Sequence, residues 1–171
     1  NATAIGYNAK VNASNKVRIG NSAVTVIEGQ VAFTTPSDGR FKFNVQEDVK
    51  GLDFIMRLRP VTYQFDVQRF DGRTTTDAAY AQAMQLRRTG FIAQEVEQAA
   101  RATDFNFSGI ISPSTPEGHY GLSYESFVVP LVKGMQEQQL QIDMLKKEIE
   151  TMKKENEELK QMVRALQKRA Q

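Results

Sequence analysis

The sequence contains no cysteine and no tryptophan, and only one histidine, His119, among 171 residues. Without cysteine the chain can have neither a disulfide framework nor thiol catalysis, which fits an exported bacterial or phage protein. The net charge is only +2 with both signs interspersed, which argues against nucleic acid or an anionic membrane as a partner. No apolar run approaches the ~20 residues of a membrane span. A phosphate loop and metal-ligand spacings are also missing, so we expect no cofactor and no metal.

The first 34 residues have the composition of β-structure. The opening "NATAIGYN" lacks the charged and apolar regions of a signal peptide, so we interpret it as lying within a longer protein. "IGYNAKV" from Ile5 and "IGNSAVT" from Ile19 repeat after fourteen residues. A short period with one glycine per copy is typical of a β-solenoid, with a pair of ordinary hairpins as the alternative. Residues 1–34 resemble the β-rolls of trimeric bacterial adhesins and the β-structured shafts of phage tail fibres. So short a segment cannot bury a core alone, so neighbouring chains or further repeats must cover it.

Residues 35–127 predict a compact α+β unit. Apolar side chains recur at helical spacing over residues 49–58, and Pro60 ends that helix. Residues 61–67, "VTYQFDV", alternate as a half-buried strand. The polar, alanine-rich stretch from Gln68 to Arg88 is interpreted as an insertion of open role. "GFIAQEVEQAAR" then passes from a short strand into a helix.

Residues 128–171 show an apolar heptad repeat of about six heptads, with position a beginning at Val128 and position d at Leu131. Glutamates at g precede lysines at e of the next heptad, which favours a parallel, in-register coiled coil. Asn156 at position a would be a buried polar residue that fixes the register. The alternative is a long solvated helix packed on its own domain. The predicted coiled-coil core comprises Ile142, Leu145, Ile149, Met152, Asn156, Leu159, Val163 and Leu166.

The stretch "TPSDGRFKFNV" holds a serine, Ser37, and a lysine five positions later, Lys42. With no histidine–aspartate pair, a nucleophilic serine would need a neutral lysine as its base. Phenylalanines flank the lysine and Arg40 adds a like charge, and both favour the neutral amine. An extended chain would hold the two side chains about 16 Å apart. They can meet only if the chain folds back at Asp38–Gly39, a dipeptide suited to tight turns, or if the lysine reaches a neighbouring chain. An ordinary hairpin with an exposed serine and lysine is the alternative.

Four separated motifs resemble one family. "SDGRFKFNV", "LDFIMRLRPVTYQF", "GFIAQEVEQ" and "LSYESFVVPLVKGMQEQ" follow the order found in the endosialidase-type intramolecular chaperone domain. That domain lies at the C-terminus of phage tail spikes, tail fibres and related bacterial surface proteins. The resemblance covers about residues 36–140. The family pattern Ser-Asp-x-Arg-x-Lys, with asparagine and a β-branched residue after it, is matched by Ser37, Asp38, Arg40, Lys42, Asn44 and Val45.

The resemblance implies a self-releasing assembly factor, and therefore a single-turnover serine endopeptidase. The domain would form a parallel homotrimer, align the upstream fibre of the same polypeptide, and cut the Pro36–Ser37 bond. Ser37 would be the nucleophile and Lys42 the general base. The expected location is a phage tail fibre or a bacterial cell surface. Residues expected to shape the site without a chemical step are Asp38, Gly39, Arg40 and Asn44.

Two other functions stay open on the sequence: a non-cleaving structural trimerisation tip, and a dimeric coiled-coil binding module of a surface fibre. Isoleucine and valine at a, leucine at most d positions and one buried asparagine favour two strands. The family resemblance and the β-roll segment favour three strands. We expect three, because so short a solenoid turn needs three chains to close its core.

Overall fold

The structure is a computed structural model that describes residues 1–116 and 118–170. It confirms the predicted α+β class, with small sheets and one long C-terminal helix. Single 3-10 turns cover Gly39–Phe41 and Tyr124–Phe127. The other elements are β1 (Ala2–Ile5), β2 (Lys16–Ile19), α1 (Leu52–Ile55), β3 (Val61–Gln64), α2 (Val67–Phe70), α3 (Ala78–Gln85), β4 (Arg87–Gly90), α4 (Ala93–Ala102), β5 (Ile110–Ile111), β6 (Gly121–Leu122) and α5 (Val128–Arg169).

The N-terminal repeat forms a parallel strand pair. Ala2 of β1 lies opposite Lys16 of β2, and Ile5 lies opposite Ile19, so the register equals the fourteen-residue offset of the sequence repeat. The Gly20 amide continues the ladder by donating to the Ile5 carbonyl at 2.8 Å. Hairpin strands are antiparallel, so the hairpin alternative does not describe this pair. The β-roll itself stays a prediction, because it requires more turns or more chains.

The main core lies between α1, α4 and the start of α5. Val96, Ala99 and Ala100 follow at the i, i+3, i+4 spacing that places side chains on one helix face, and all three are buried. Phe54 of α1 packs against this face. Its ring centroid lies 5.0 Å from that of Phe107, which in turn lies 4.8 Å from Phe127. This aromatic cluster packs α1, α4 and the residues just before α5 against one another.

A pair of glycines lets α1 approach α5. A Cβ built on Gly134 would lie 2.9 Å from Ile55 Cδ1, and one on Gly51 would lie 2.7 Å from the Gly134 nitrogen. The Leu52 amide donates to Glu137 Oε2 at 2.8 Å, so a side chain of α5 caps the start of α1. Gly51 itself has a non-helical backbone (φ −97°, ψ −106°). The predicted helix over residues 49–58 was therefore too long, because it begins only after this glycine.

The predicted insertion folds as α2 and α3 around a second small core. The predicted strand over residues 61–67 ends at Gln64, because the Asp66 side chain accepts from the Arg69 amide at 2.9 Å and starts a helix instead. Val67 then turns inward and is fully buried. Residues of this second core are Val67, Tyr80 and Ala83, with Ala23, Phe65 and Met84 packed against them.

Helix α5 begins at Val128, as the heptad pattern predicted, and continues for 42 residues. Only Pro130 and Gly134 of this helix are buried, and the side chains from residue 138 to 170 are exposed. The helix is therefore not packed along its length on its own domain, and that alternative is wrong beyond the first turns. Its apolar stripe is uncovered in a single chain, so the coiled coil stays a prediction. None of the helices within residues 1–116 and 118–170 is long and apolar enough to cross a membrane.

Candidate functional site

The chain folds back on itself at Asp38–Gly39. The Asp38 side chain accepts from the Arg40 amide at 2.9 Å, and the Lys42 amide donates to the Gly39 carbonyl at 3.1 Å. These bonds close the 3-10 turn Gly39–Phe41. Residues 35–50, all of which the structure describes, contain no strand, so the turn is not the corner of a hairpin. Of the two sequence interpretations, the fold-back is present. The strands of the ordinary hairpin are absent from residues 35–50, although Ser37 and Lys42 are exposed as that interpretation expected.

The turn brings Ser37 and Lys42 into direct contact. Lys42 Nζ donates to Ser37 Oγ at 2.8 Å within one chain. The contact replaces the separation of about 16 Å that an extended segment would impose. The contacting hydroxyl belongs to the residue that directly follows Pro36, so it lies beside the peptide bond expected to be cut. A neighbouring chain is not needed to bring the two side chains together.

Arg40 forms an ion pair with Asp38 across the turn. Its guanidinium Nη2 lies 2.6 Å from Asp38 Oδ2, and its Nε donates to the same carboxylate. The side-chain hydrogen bonds from Arg40, and then the bond from its backbone amide, lower the pKa of Asp38. The like charge that Arg40 adds beside the lysine is therefore paired with the Asp38 carboxylate. Asp38 both caps the turn and pairs with its arginine.

The contact between Ser37 and Lys42 is open to water in a single chain. Residues 31–48 are all exposed, and Phe43, next to the lysine, keeps 85% of its surface accessible. Phe41 on the other side is similarly exposed and lies near the Arg40 guanidinium. The flanking phenylalanines therefore do not desolvate the amine within one chain. Nothing in the described residues of the single chain excludes water from this site.

The backbone conformation favours the residue type found at Asn44 but not the one found at Gly39. Asn44 has φ +51°, a left-handed conformation that asparagine tolerates better than most residues, and it redirects the chain after the lysine. Gly39 has an ordinary φ, and a Cβ built on it meets no atom within 4 Å. The backbone therefore explains an asparagine at position 44, whereas nothing in the structure explains a glycine at position 39.

The other three motifs meet away from the turn. Val61, in the second motif, pairs with Gly90 of the third across β3 and β4. The hydroxyl of Tyr124, in the fourth motif, accepts from the Phe91 amide at 3.0 Å. These motifs build the packed part of the domain, whereas the first motif supplies the exposed turn.

Sequence reasoning missed a polar cluster between the N-terminal segment and the insertion. Asp71 accepts hydrogen bonds from the hydroxyls of Ser22 and Tyr80. Ser22 lies 49 residues before its partner, and no local pattern signals such a contact. Among residues 1–116 and 118–170, no three histidine, aspartate or glutamate side chains lie close enough to hold a metal ion.

Comparison with known families supports the interpretation of the motifs. Residues 37–105 match the family model described as chaperone of endosialidase, which is also classed as a peptidase family. No curated protein matches the chain. The match begins at Ser37 and contains the first three motifs, while the fourth lies beyond it. The resemblance predicted from the sequence is confirmed over residues 37–105, which match the family model described as chaperone of endosialidase.

Proposed function

We propose that this chain is an intramolecular chaperone that trimerises, aligns an upstream β-fibre and then releases itself by cutting the Pro36–Ser37 bond. The family match supports the chaperone role. The observation that carries the proposed cleavage is the 2.8 Å contact between Lys42 Nζ and Ser37 Oγ beside that bond. The start of the family match at Ser37 agrees with a domain boundary at the same place.

The contact suits a serine nucleophile with a lysine base. A neutral Nζ takes the hydroxyl proton as Ser37 Oγ bonds to the carbonyl carbon of Pro36. The bond from that carbon to the Ser37 nitrogen then breaks, and Nζ returns the proton to this nitrogen. The resulting ester joins the Pro36 acyl group to Oγ. Water hydrolyses the ester, which leaves a carboxylate on Pro36, a free amine on Ser37 and the restored hydroxyl.

Assembly is proposed to switch this chemistry on. In the structure the contact between Lys42 Nζ and Ser37 Oγ is exposed to water, whereas a lysine base must be neutral to accept the hydroxyl proton. The exposed side chains of Phe41 and Phe43 are the nearest apolar groups that other chains could press onto the lysine. Burial would favour the neutral base and so couple cleavage to a finished trimer.

The proposed alignment rests on apolar side chains that one chain leaves uncovered. Two exposed sets lie on either side of the packed domain. One lies in residues 24–33, directly before the turn, and the other follows the heptad positions of α5. Three parallel copies would cover both sets and bring three fibre ends into register. A phage tail fibre or a bacterial surface fibre is the proposed setting.

Expression followed by intact-mass measurement tests the cleavage. Wild type should yield a fragment that begins at Ser37, whereas Ser37→Ala and Lys42→Ala should stay full length. Lys42→Arg should also stay uncut, because arginine keeps its proton. Ser114→Ala and Lys147→Ala, at exposed positions outside the turn, are the controls and should be cut normally. Uncut wild type in trimeric form would leave the non-cleaving trimerisation tip as the function.

The pH dependence distinguishes the base from the cap of the turn. Cleavage should slow as the pH falls because the base becomes protonated. The pKa of Asp38 is lowered by its bonds with Arg40, so its support of the turn is complete above the unfolded pKa and is lost only below about pH 4. A rate that is constant down to pH 4 and falls only below it would contradict lysine as the base.

A further inference from the structure

The insertion contacts residues 18–23, which lie in the N-terminal segment 1–34, here called the fibre segment. The Asp71 cluster, defined as Ser22, Asp71 and Tyr80, joins the two parts of the chain. Asp71 accepts from the Ser22 hydroxyl and, at 2.9 Å, from the Tyr80 hydroxyl. Arg18 of β2 adds a second contact, with its guanidinium 5.9 Å from the centroid of the Phe70 ring. Polar and cation–π contacts thus connect residues 18–22 with α2 and α3.

Apolar packing lies directly beside this cluster. Ala23 packs against the second core, in which Val67 and Ala83 are fully buried and Tyr80 is 2% exposed. This core is separate from the main core around Phe54. The fibre segment therefore covers a surface that belongs to the insertion.

The electrostatics of Asp71 favour a charged acceptor. Burial by itself would raise the pKa of this carboxyl, but the hydrogen bonds from Ser22 and Tyr80 and the positive charge of Arg18 outweigh it, so the pKa is lowered. Burial and the bond to Asp71 raise the pKa of Tyr80, which keeps its hydroxyl a donor. Hydrogen bonds to an ionised carboxylate are roughly twice as strong as those between neutral groups.

The two sides of this contact lie on opposite sides of the bond that is proposed to be cut. Residues 18–23 precede the Pro36–Ser37 bond, and the insertion follows it. Residues 24–36 between them are exposed and form no helix or strand. Cutting that bond therefore removes a covalent tether and breaks none of the contacts of the Asp71 cluster.

We propose that the Asp71 cluster holds the cut fibre end on the chaperone domain, so that cleavage and release are separate steps. This inference rests on the proposed self-cleavage for its biological role, but the binding surface does not depend on it. In a trimer three such surfaces would act together, and dissociation would require all three to open.

The test uses a chain that is cut independently of the candidate catalytic pair. A specific protease site is inserted between Thr35 and Pro36 of a Ser37→Ala chain, at exposed positions outside the apolar set of residues 24–33, and the added protease is then applied. Size-exclusion chromatography and native mass spectrometry report whether the N-terminal fragment remains bound, and a denaturing gel reports the cut. We expect the fragment to co-elute with the remainder of the chain.

Variants of the Asp71 cluster then test whether these residues retain the N-terminal fragment. Asp71→Ala should release the fragment at least about tenfold faster, because the fragment loses the hydrogen bond from Ser22 to a carboxylate and the attraction between Arg18 and that carboxylate. Thr74→Ala, at an exposed position in the same loop, is the matched control and should retain the fragment. If Asp71→Ala fails to fold by circular dichroism, Ser22→Ala removes one donor from the fragment alone and should also speed release.

Two results would overturn the proposal: immediate loss of the fragment from the parent chain, or equal retention by the parent and the cluster variants. Neither depends on self-cleavage. Conversely, a wild-type chain that never cuts itself but retains the protease-cut fragment would disprove the proposed cleavage and leave the binding surface intact.

Discussion

The packed body, residues 51–134, differs from the segments on either side of it in how far its aromatic side chains are exposed. Phe54 in the body is 0% exposed, whereas Phe43, eight residues before the start of the body, is 85% exposed. The body buries an aromatic core around Phe54 within one chain, whereas α5 beyond Gly134 and residues 24–45 leave their large apolar side chains exposed to solvent. Burial of apolar area drives both folding and association. We therefore assign the buried side chains to the folding of one chain, and we propose that the exposed ones are buried when several chains associate.

The largest effect, a loss of assembly, is expected from a charge in the exposed apolar stripe of α5. Leu159→Lys places a charge at a predicted d position of α5, and we expect it to dissociate the proposed trimer into monomers. The body should stay folded, because its contacts with α5 lie around Gly134 and Glu137. Sedimentation measures the mass, and near-UV circular dichroism measures the packing of the aromatic core.

A matched lysine on the outer face is the control for this change. Gln161→Lys adds the same charge two residues later, at a predicted f position, and should leave the trimer intact. A dimer or monomer mass for the wild-type chain, or an equal loss of assembly in both variants, would contradict the proposed role of the stripe.

A pair of phenylalanine truncations compares the body with the exposed turn. Phe54→Ala should lower the free energy of unfolding by about 3–5 kcal/mol, since it opens a cavity among aromatic rings. Phe43→Ala should change the stability of the single chain by less than about 0.5 kcal/mol. Chemical denaturation of a chain kept monomeric by Leu159→Lys measures both. Comparable losses in the two variants would mean that the turn is packed in solution.

Removal of the buried asparagine should have a smaller effect, in the stabilising direction. Asn156→Ile replaces the one polar residue predicted in the core of the C-terminal coil, so the melting temperature of the assembly should rise by a few degrees. The selectivity for three strands should weaken at the same time, and sedimentation should show mixed masses. A lower melting temperature would indicate that Asn156 does not face the axis.

The features that sequence predicted best are those encoded locally. The heptad pattern placed the start of α5 at Val128, and the motifs predicted the family whose model matches residues 37–105. The possible fold-back at Asp38–Gly39 also followed from the dipeptide, because turn formation depends on few residues. In each case the determining residues are neighbours in the chain.

The features that sequence missed depend on partners far along the chain or on competing local bonds. The start of α1 is set by Gly51 against α5, and the end of β3 by the cap that Asp66 gives to α2. Arg40 pairs with Asp38 because its side chain reaches back over the turn, which a charge count does not show. The contact of Ser22 with Asp71 joins residues 49 positions apart, which no local pattern signals.

The smallest effect expected lies in the backbone of the exposed turn itself. Asn44 has φ +51°, where a β-branched residue is strained by about 1–2 kcal/mol and glycine is not. Asn44→Val should therefore slow self-cleavage by up to about tenfold, because the chain leaving Lys42 no longer keeps its direction. Asn44→Gly should cut at nearly the wild-type rate. Denaturing gels over time give both rates, and the melting temperature should be unchanged in both variants because the turn does not pack on the body. Equal rates for valine and asparagine would show that the left-handed residue does not position the lysine, while a slow glycine variant would assign the effect to the lost amide side chain.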